Sequence, residues 1–158
     1  MNGMYLLGSA KFIDGTIDWV GDDIKIALID AADYTPDLVL DEFLDDIPSG
    51  AIVGTSSNLS GKTRTGLTIL ADDAVASSVS GDTVEAVVAY KDTGSSANSP
   101  LIAYITLNSP LTPDGSNMTI EWASGVVFSA TSAGNLGLEV FEFTGAEQTW
   151  EVPANVTR

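Results

Sequence analysis

Two apolar runs of similar length dominate the pattern along the chain. They lie in TVEAVVAYKDTGSSANSPLIAYITL, Thr83 to Leu107, joined by a polar loop from Asp92 to Ser99. Side chains alternate between the two faces of an extended chain. The first run therefore puts Val84, Ala86, Val88 and Tyr90 on one face, and Glu85, Val87 and Ala89 on the other. The second puts Leu101, Ala103, Ile105 and Leu107 on one face, with Ile102, Tyr104 and Thr106 opposite. Both faces are mostly apolar at mid-strand, the pattern of strands covered on both sides. The stretch predicts an antiparallel hairpin around which the rest of the chain packs.

The remaining pattern is a series of short strands. Ile24 to Asp30 alternates cleanly, with Ile24, Ile26 and Leu28 on one face. Thr16 to Trp19, Ala51 to Thr55, Leu67 to Leu70, Met118 to Ala123 and Val126 to Ser129 also read as strands. Ser56 to Thr65 reads as a polar loop, Ala71 to Ala76 as a weak link, and Asn108 to Asn117 as a turn-rich connection. Met4 to Phe12 is ambiguous. Tyr5, Leu7 and Phe12 fit one side of a helical turn or two, and Gly8 argues against it. Asp37 to Ile47 has helical spacing, with Val39, Phe43 and Ile47 in register. Acids near its end oppose the helix dipole, so one or two turns are expected there.

After Ser129 the composition changes. Ala130 to Gly137 is small and polar, and LEVFEF, Leu138 to Phe143, switches apolar phase between Val140 and Phe141, as a bulge would require. Thr144 to Arg158 reads as an extended arm, with Trp150, Val152 and Pro153 as candidate partner-binding anchors. Short strands spaced by Gly, Pro, Asp and Ser, without alternating long helices, favour an all-β antiparallel sandwich or jelly roll. The expected organisation is a β-sandwich domain over residues 1–143, with 1–15 peripheral and one or two short helices, followed by a C-terminal arm over 144–158.

Composition narrows the chemistry. A chain of 158 residues suits one domain, hiding roughly 68–70% of its unfolded surface without covalent staples. There is no Cys and no His. Disulfides, thiolate metal sites and Ser-His-Asp or Cys-His mechanisms are therefore excluded within the chain. With 22 acids against 6 basic residues, the formal charge of −16 repels phosphate backbones and anionic lipid, so neither nucleic acid nor membrane is an expected partner. The opening MNGMYLLGSAKF lacks the basic region and long apolar core of a signal peptide.

Few motifs suggest chemistry. Ser60-Gly61-Lys62-Thr63 looks like the end of a phosphate-binding loop, but Ser56 stands where that motif needs a glycine, and RTGLTIL reads as turn and strand where it needs a helix. The acidic pairs Asp22-Asp23, Asp30 with Asp33, Asp41-Glu42, Asp45-Asp46 and Asp72-Asp73 do not match the roughly twelve-residue calcium loop. They read as a solvated face that keeps a β protein from sticking to its neighbours. Trp19 and Trp122 read as core residues. Trp150 fits a packing anchor as well as a sugar-stacking contact. The chain is expected to be no enzyme, with no catalytic residue, cofactor or metal.

Several stretches together resemble a family of small virion proteins of tailed bacteriophages. Phe12 to Trp19, the strand Ile24 to Asp30, the turn Tyr34 to Pro36, Phe43-Leu44 and the turn Pro48 to Gly50 are similar to that family's opening. Ala86 to Gly94 and Ser99 to Ile105 resemble its central hairpin, and LTPDGSNMTIEWASG its penultimate turn and strand. The likeness runs from Lys11 to Phe128; Ser129 to Arg158 departs from it. The resemblance implies a structural role in the virion with no catalytic residues to carry over. Its most specific form is a capsid decoration, or cement, protein made in the bacterial host cytoplasm. Such a protein binds the major capsid protein on the outer surface of the lattice, commonly as a homotrimer. The alternatives are a tail, baseplate or fibre module of the same virion, and a carbohydrate-binding module for host attachment.

Overall fold

A computed structural model describes residues 2–129 of the chain. It is all-β and antiparallel, sandwich-like, with one α-helix. In chain order the elements begin with β1 (Gly3–Met4), α1 (Leu6–Ile13), β2 (Ile24–Ile29) and β3 (Ile52–Thr55). Next come β4 (Thr63–Thr65), β5 (Thr68–Leu70), β6 (Ala74–Ala76) and β7 (Val84–Lys91). The last are β8 (Leu101–Leu111), β9 (Met118–Ile120) and β10 (Val126–Ser129). A five-stranded sheet in the order β1-β8-β7-β2-β3 forms the middle layer. On one side lie two smaller sheets, β10-β5-β4 and β6-β9. The other side is covered by the long connection from Ala31 to Ala51, which has only short turns of helix.

The middle sheet is buried on both faces. Ile24, Ile26, Leu28, Val87, Ala89 and Ile102 face the small sheets, packing with Trp19, Leu59, Ile69, Ala74, Ile120 and Val127. Ala27, Ile29, Ala86, Val88, Tyr90, Leu101 and Tyr104 face the connection, packing with Tyr5, Tyr34, Ile47 and Ala51. The predicted hairpin is therefore the centre of the molecule, with two corrections. Val84 packs with Val87 and not with Ala86, because the register breaks between Val84 and Ala86. Ile102 packs on the same side as Ala103, because Ala89 pairs with Ala103 while Tyr90 pairs with Leu101. Ile102 is the extra residue of a β-bulge, which shifts the phase of the strand.

Other expectations need correction. Thr16 to Trp19 forms no strand; it is a loop that carries Ile17 and Trp19 into the core. Asp37 to Ile47 is not an amphipathic helix. It has one turn, closed by Asp41 N–H donating to the Asp37 carbonyl at 3.0 Å, and a short 3-10 turn at Leu44–Asp46. Val39 and Leu40 stand out in solvent. The polar loop and the weak link each contain a strand, β4 and β6, and β8 continues through the region read as a connection to Leu111. Leu67, in the turn before β5, is exposed, while Ile69 on the strand is buried.

The N-terminal segment closes one edge of the middle sheet. β1 pairs with β8, and Tyr5 N–H donates to the Ile102 carbonyl at 3.0 Å. Tyr5 itself is fully buried. Helix α1 then lies directly on β8, and Gly8 is the point of contact. A Cβ there would overlap the Leu101 carbonyl oxygen and sit 3.1 Å from its carbon. The glycine that weakens the helix in sequence is the residue that lets helix and strand backbones meet.

Gly8→Ala is expected to lower stability, although alanine is the better helix former by up to ~1 kcal/mol. The clash is with rigid backbone, so a net loss of about 1–3 kcal/mol is expected. A denaturant midpoint equal to or above that of the parent protein would contradict this packing.

Candidate functional site

The anchors Trp150, Val152 and Pro153 expected from sequence lie outside the described residues, as does the arm over 144–158. The described surface offers three features to weigh: the stretch around Lys62, the carboxylates, and two sets of exposed apolar side chains.

Around Lys62 the chain cannot cradle a phosphate. Gly61 has a φ of +60°, and its backbone abuts the Asp72 carboxylate so closely that a Cβ would overlap it. The Asp72 carboxylate also accepts the Ser60 hydroxyl at 2.9 Å. Lys62 donates its ammonium to the Asp22 carbonyl. The next element is strand β4, not a helix. An anion already occupies the space a phosphate would need.

Many carboxylates are turn-makers rather than a bare solvated face. Asp37 accepts from the amides of Val39 and Leu40, each at 3.0 Å. Asp41 accepts from Asp37 N–H at 2.8 Å, and Asp46 from Glu42 and Phe43 N–H at 2.7 and 2.9 Å. Asp14, Asp18, Asp30, Asp92 and Asp114 each hold an amide two residues on. These are Asx-type bonds, which satisfy the backbone where no sheet or helix does. The signal for them is present in sequence as Asp preceding short non-periodic stretches. Among the described residues no group of three or more acids is gathered closely enough to hold a metal ion.

The lysines tie these turns to the sheet. Lys91 meets Asp22 at 2.9 Å and the Thr16 carbonyl at 2.7 Å. Lys25 meets Asp92 at 2.5 Å, and Lys11 meets Glu42 at 2.6 Å while lying over the Phe43 ring. The Lys25 hydrogen bond holds the Asp92 carboxyl below its ordinary pKa. At Asp22 burial works against the charge, and the bond from Lys91 with its neighbours outweighs it.

A buried polar chain runs beneath the connection. Tyr34 donates its hydroxyl to Asp41 at 2.6 Å, so Tyr5, 3.0 Å away, donates to Tyr34. Tyr34 also packs edge-on against Tyr104. Burial raises the pKa of every tyrosine in the protein, Tyr5, Tyr34, Tyr90 and Tyr104, and takes Tyr90 to about 12. Tyr5, Tyr34 and Asp41 are tied to one another, and they read as a brace between layers.

Besides the scattered Leu6, Val20 and Val75, two sets of apolar side chains are exposed among the described residues. Val39 and Leu40 form a tip on the connection. On the other side, a groove of about 240 Å³ runs between α1 and the β4–β5 hairpin. Met4, Phe12 and Ile13 line one wall, and Leu67, Ile69 and Phe128 the other, with Arg64 beside them. Among the described residues the two tryptophans supply no platform. Trp19 is 2% exposed and donates its indole N–H to the Leu70 carbonyl at 2.9 Å. Trp122 is half-buried against the core, and its indole N–H goes to the Asp72 carbonyl at 3.1 Å. The geometry defines a β-sandwich that presents apolar patches among carboxylates. No protein-family model matches the chain, and no curated protein matches it.

The titrating groups give a stability profile with two ends. Carboxyls with lowered native pKa stabilise fully above the ordinary carboxylate pKa of about 4, and that contribution fades as pH falls through their native values. Tyrosines with raised native pKa stabilise fully below about 10, and their contribution is lost as pH rises through the folded values. With no histidine or cysteine between, denaturant stability should be nearly flat from about pH 5 to 9. Tyrosinate absorbance should stay low at about pH 10 to 11 and rise together with unfolding. Smooth ionisation near pH 10 in the folded protein would contradict the burial of the tyrosines. Tyr34→Phe, which leaves the Tyr5 hydroxyl without its partner and Asp41 with only the Asp37 amide, should cost about 1–3 kcal/mol.

Proposed function

We propose that the protein is a virion structural protein of a tailed bacteriophage, and within that class a capsid decoration protein. In this reading it sits on the outer surface of the major capsid lattice as a homotrimer and acts by binding. The observation that carries the proposal is where the residues of the family resemblance fall. Ile17, Trp19, Tyr34 and Ile47, within or beside the resembling motifs, are all buried; Tyr34–Pro36 is irregular chain just after a turn at 31–33, and Pro48–Gly50 leads into a 3-10 turn, Ser49–Ala51, both on the connection over the sheet. The likeness thus lies in scaffold positions, which supports shared architecture and, through it, the family's assembly role.

The surface agrees with an external position. A formal charge of −16 is unsuited to contact with packaged DNA and suited to the outside of a shell. The exposed tip Val39-Leu40 gives apolar contact area for neighbours.

Quantitative mass spectrometry of purified particles tests the proposal. A decoration protein is expected at hundreds of copies per particle; a few or tens would move it to the tail, and absence from particles would end the virion reading. Light scattering should give a trimer at assembly concentrations. Deletion of residues 145–158 should leave the β domain folded and weaken attachment to the shell; an unfolded product would assign that segment to the core.

A further inference from the structure

Among the described residues, the groove between α1 and the β4–β5 hairpin leaves one flank of the core uncovered. Ile13 is 89% exposed and Leu67 is 65% exposed, while Phe12 and Phe128 beside them already pack against the buried cluster. Strand register sets Arg64 opposite Ile69, and Ile69 opposite Phe128, so the three form one row across the small sheet. That row lines the groove.

Arg64 is a second, independent sign. Lys11, Lys25 and Lys91 each meet a carboxylate, and Lys62 a carbonyl. Arg64 makes no ion pair among the described residues, in a chain where acids outnumber bases 22 to 6. The groove therefore fits an occupant with large apolar side chains and a carboxylate.

The chain itself carries such a segment, and it starts from the groove's wall. Phe128 lines the groove, β10 is described to Ser129, and in sequence Ala130 to Gly137 leads to Leu138–Phe143, LEVFEF. A linker of this length spans at most about 26–29 Å, enough to fold back on its point of departure. A short tether also holds the segment at an effective concentration in the millimolar range, favouring its own groove over a neighbour's. We propose that Leu138–Phe143 docks in this groove of the same chain, with Glu139 or Glu142 paired to Arg64. The arm beyond it then leaves the body beside α1. This holds or fails independently of the virion role.

The chain has no cysteine, so pairs of introduced cysteines report proximity directly. Leu67→Cys would be combined in the full-length protein with Leu138→Cys, Val140→Cys or Phe141→Cys, and the dilute protein oxidised mildly. At least one combination should form an intrachain disulfide, and the same partners with Leu40→Cys, on the opposite layer, should not. No disulfide, equal yield with Leu40→Cys, or disulfides only between chains would overturn the proposal; the last would give the groove to a second copy. Arg64→Glu, at an exposed position, should speed hydrogen exchange of residues 138–143 by up to about fivefold. Glu139→Lys or Glu142→Lys in that background should restore it. Exchange unchanged by Arg64→Glu would also count against docking.

Discussion

A sheet with two apolar faces must be covered twice, and the architecture is a consequence of that requirement. β2, β7 and β8 carry large apolar side chains on both sides, and leaving either face wet would expose most of the core. At about 25 cal/mol per Å² of apolar surface, each covering is worth far more than any single ion pair on this protein. The chain meets the requirement asymmetrically. One cover is built from short strands that satisfy their own backbone through pairing. The other is an irregular connection, Ala31 to Ala51, whose amides need other partners.

Those partners explain why the chain is so acidic just there. A connection that lies on a buried sheet cannot leave its amides unpaired. Asp30, Asp37, Asp41 and Asp46 take them up, and Glu85 reaches across from β7 to accept from Ala31 N–H at 3.0 Å. Asp41 does more than close a turn, since the same carboxylate oxygen accepts the Tyr34 hydroxyl. A single side chain thereby links the local turn to the tyrosine pair that braces connection and N-terminal segment. The negative charge is in part a by-product of building a layer without regular structure.

The same chemistry limits how much of the fold is legible in sequence. Alternation is a property of the local chain, so β2 and the middle of the hairpin can be read from it. The bulge at Ile102 cannot, because it depends on how β8 meets both β7 and the 42–44 turn, where Leu101 N–H donates to the Glu42 carbonyl. The helical spacing of Val39, Phe43 and Ile47 misleads for a physical reason. Asp37, Asp41 and Asp46 offer the backbone side-chain acceptors that compete with helical carbonyls. Short strands such as β4 and β6 exist through pairing with β5 and β9, distant or weakly patterned partners that leave little trace in their own residues. Gly8 shows the reverse failure: its helix cost is visible locally, while its fit against Leu101 is a tertiary fact. The groove is illegible as well, since Met4, Arg64 and Phe128 meet only once three separate elements are packed.

Edges decide how such a body can associate. Among the described residues the middle sheet ends in β1, with two residues, and β3, with four, so neither edge strand is itself a long ladder for another copy. Short edges discourage strand-to-strand growth, and the surrounding carboxylates add repulsion between identical surfaces. Stable association must then come through side-chain patches rather than backbone pairing. Val39-Leu40 and the groove are on opposite covers of the sheet, one on the connection and one beside the small sheets. A protein proposed to coat a lattice needs two kinds of contact, one to the shell and one to its own copies. With the groove given to its own chain, the tip Val39-Leu40 supplies one of these contacts without requiring either edge of the middle sheet.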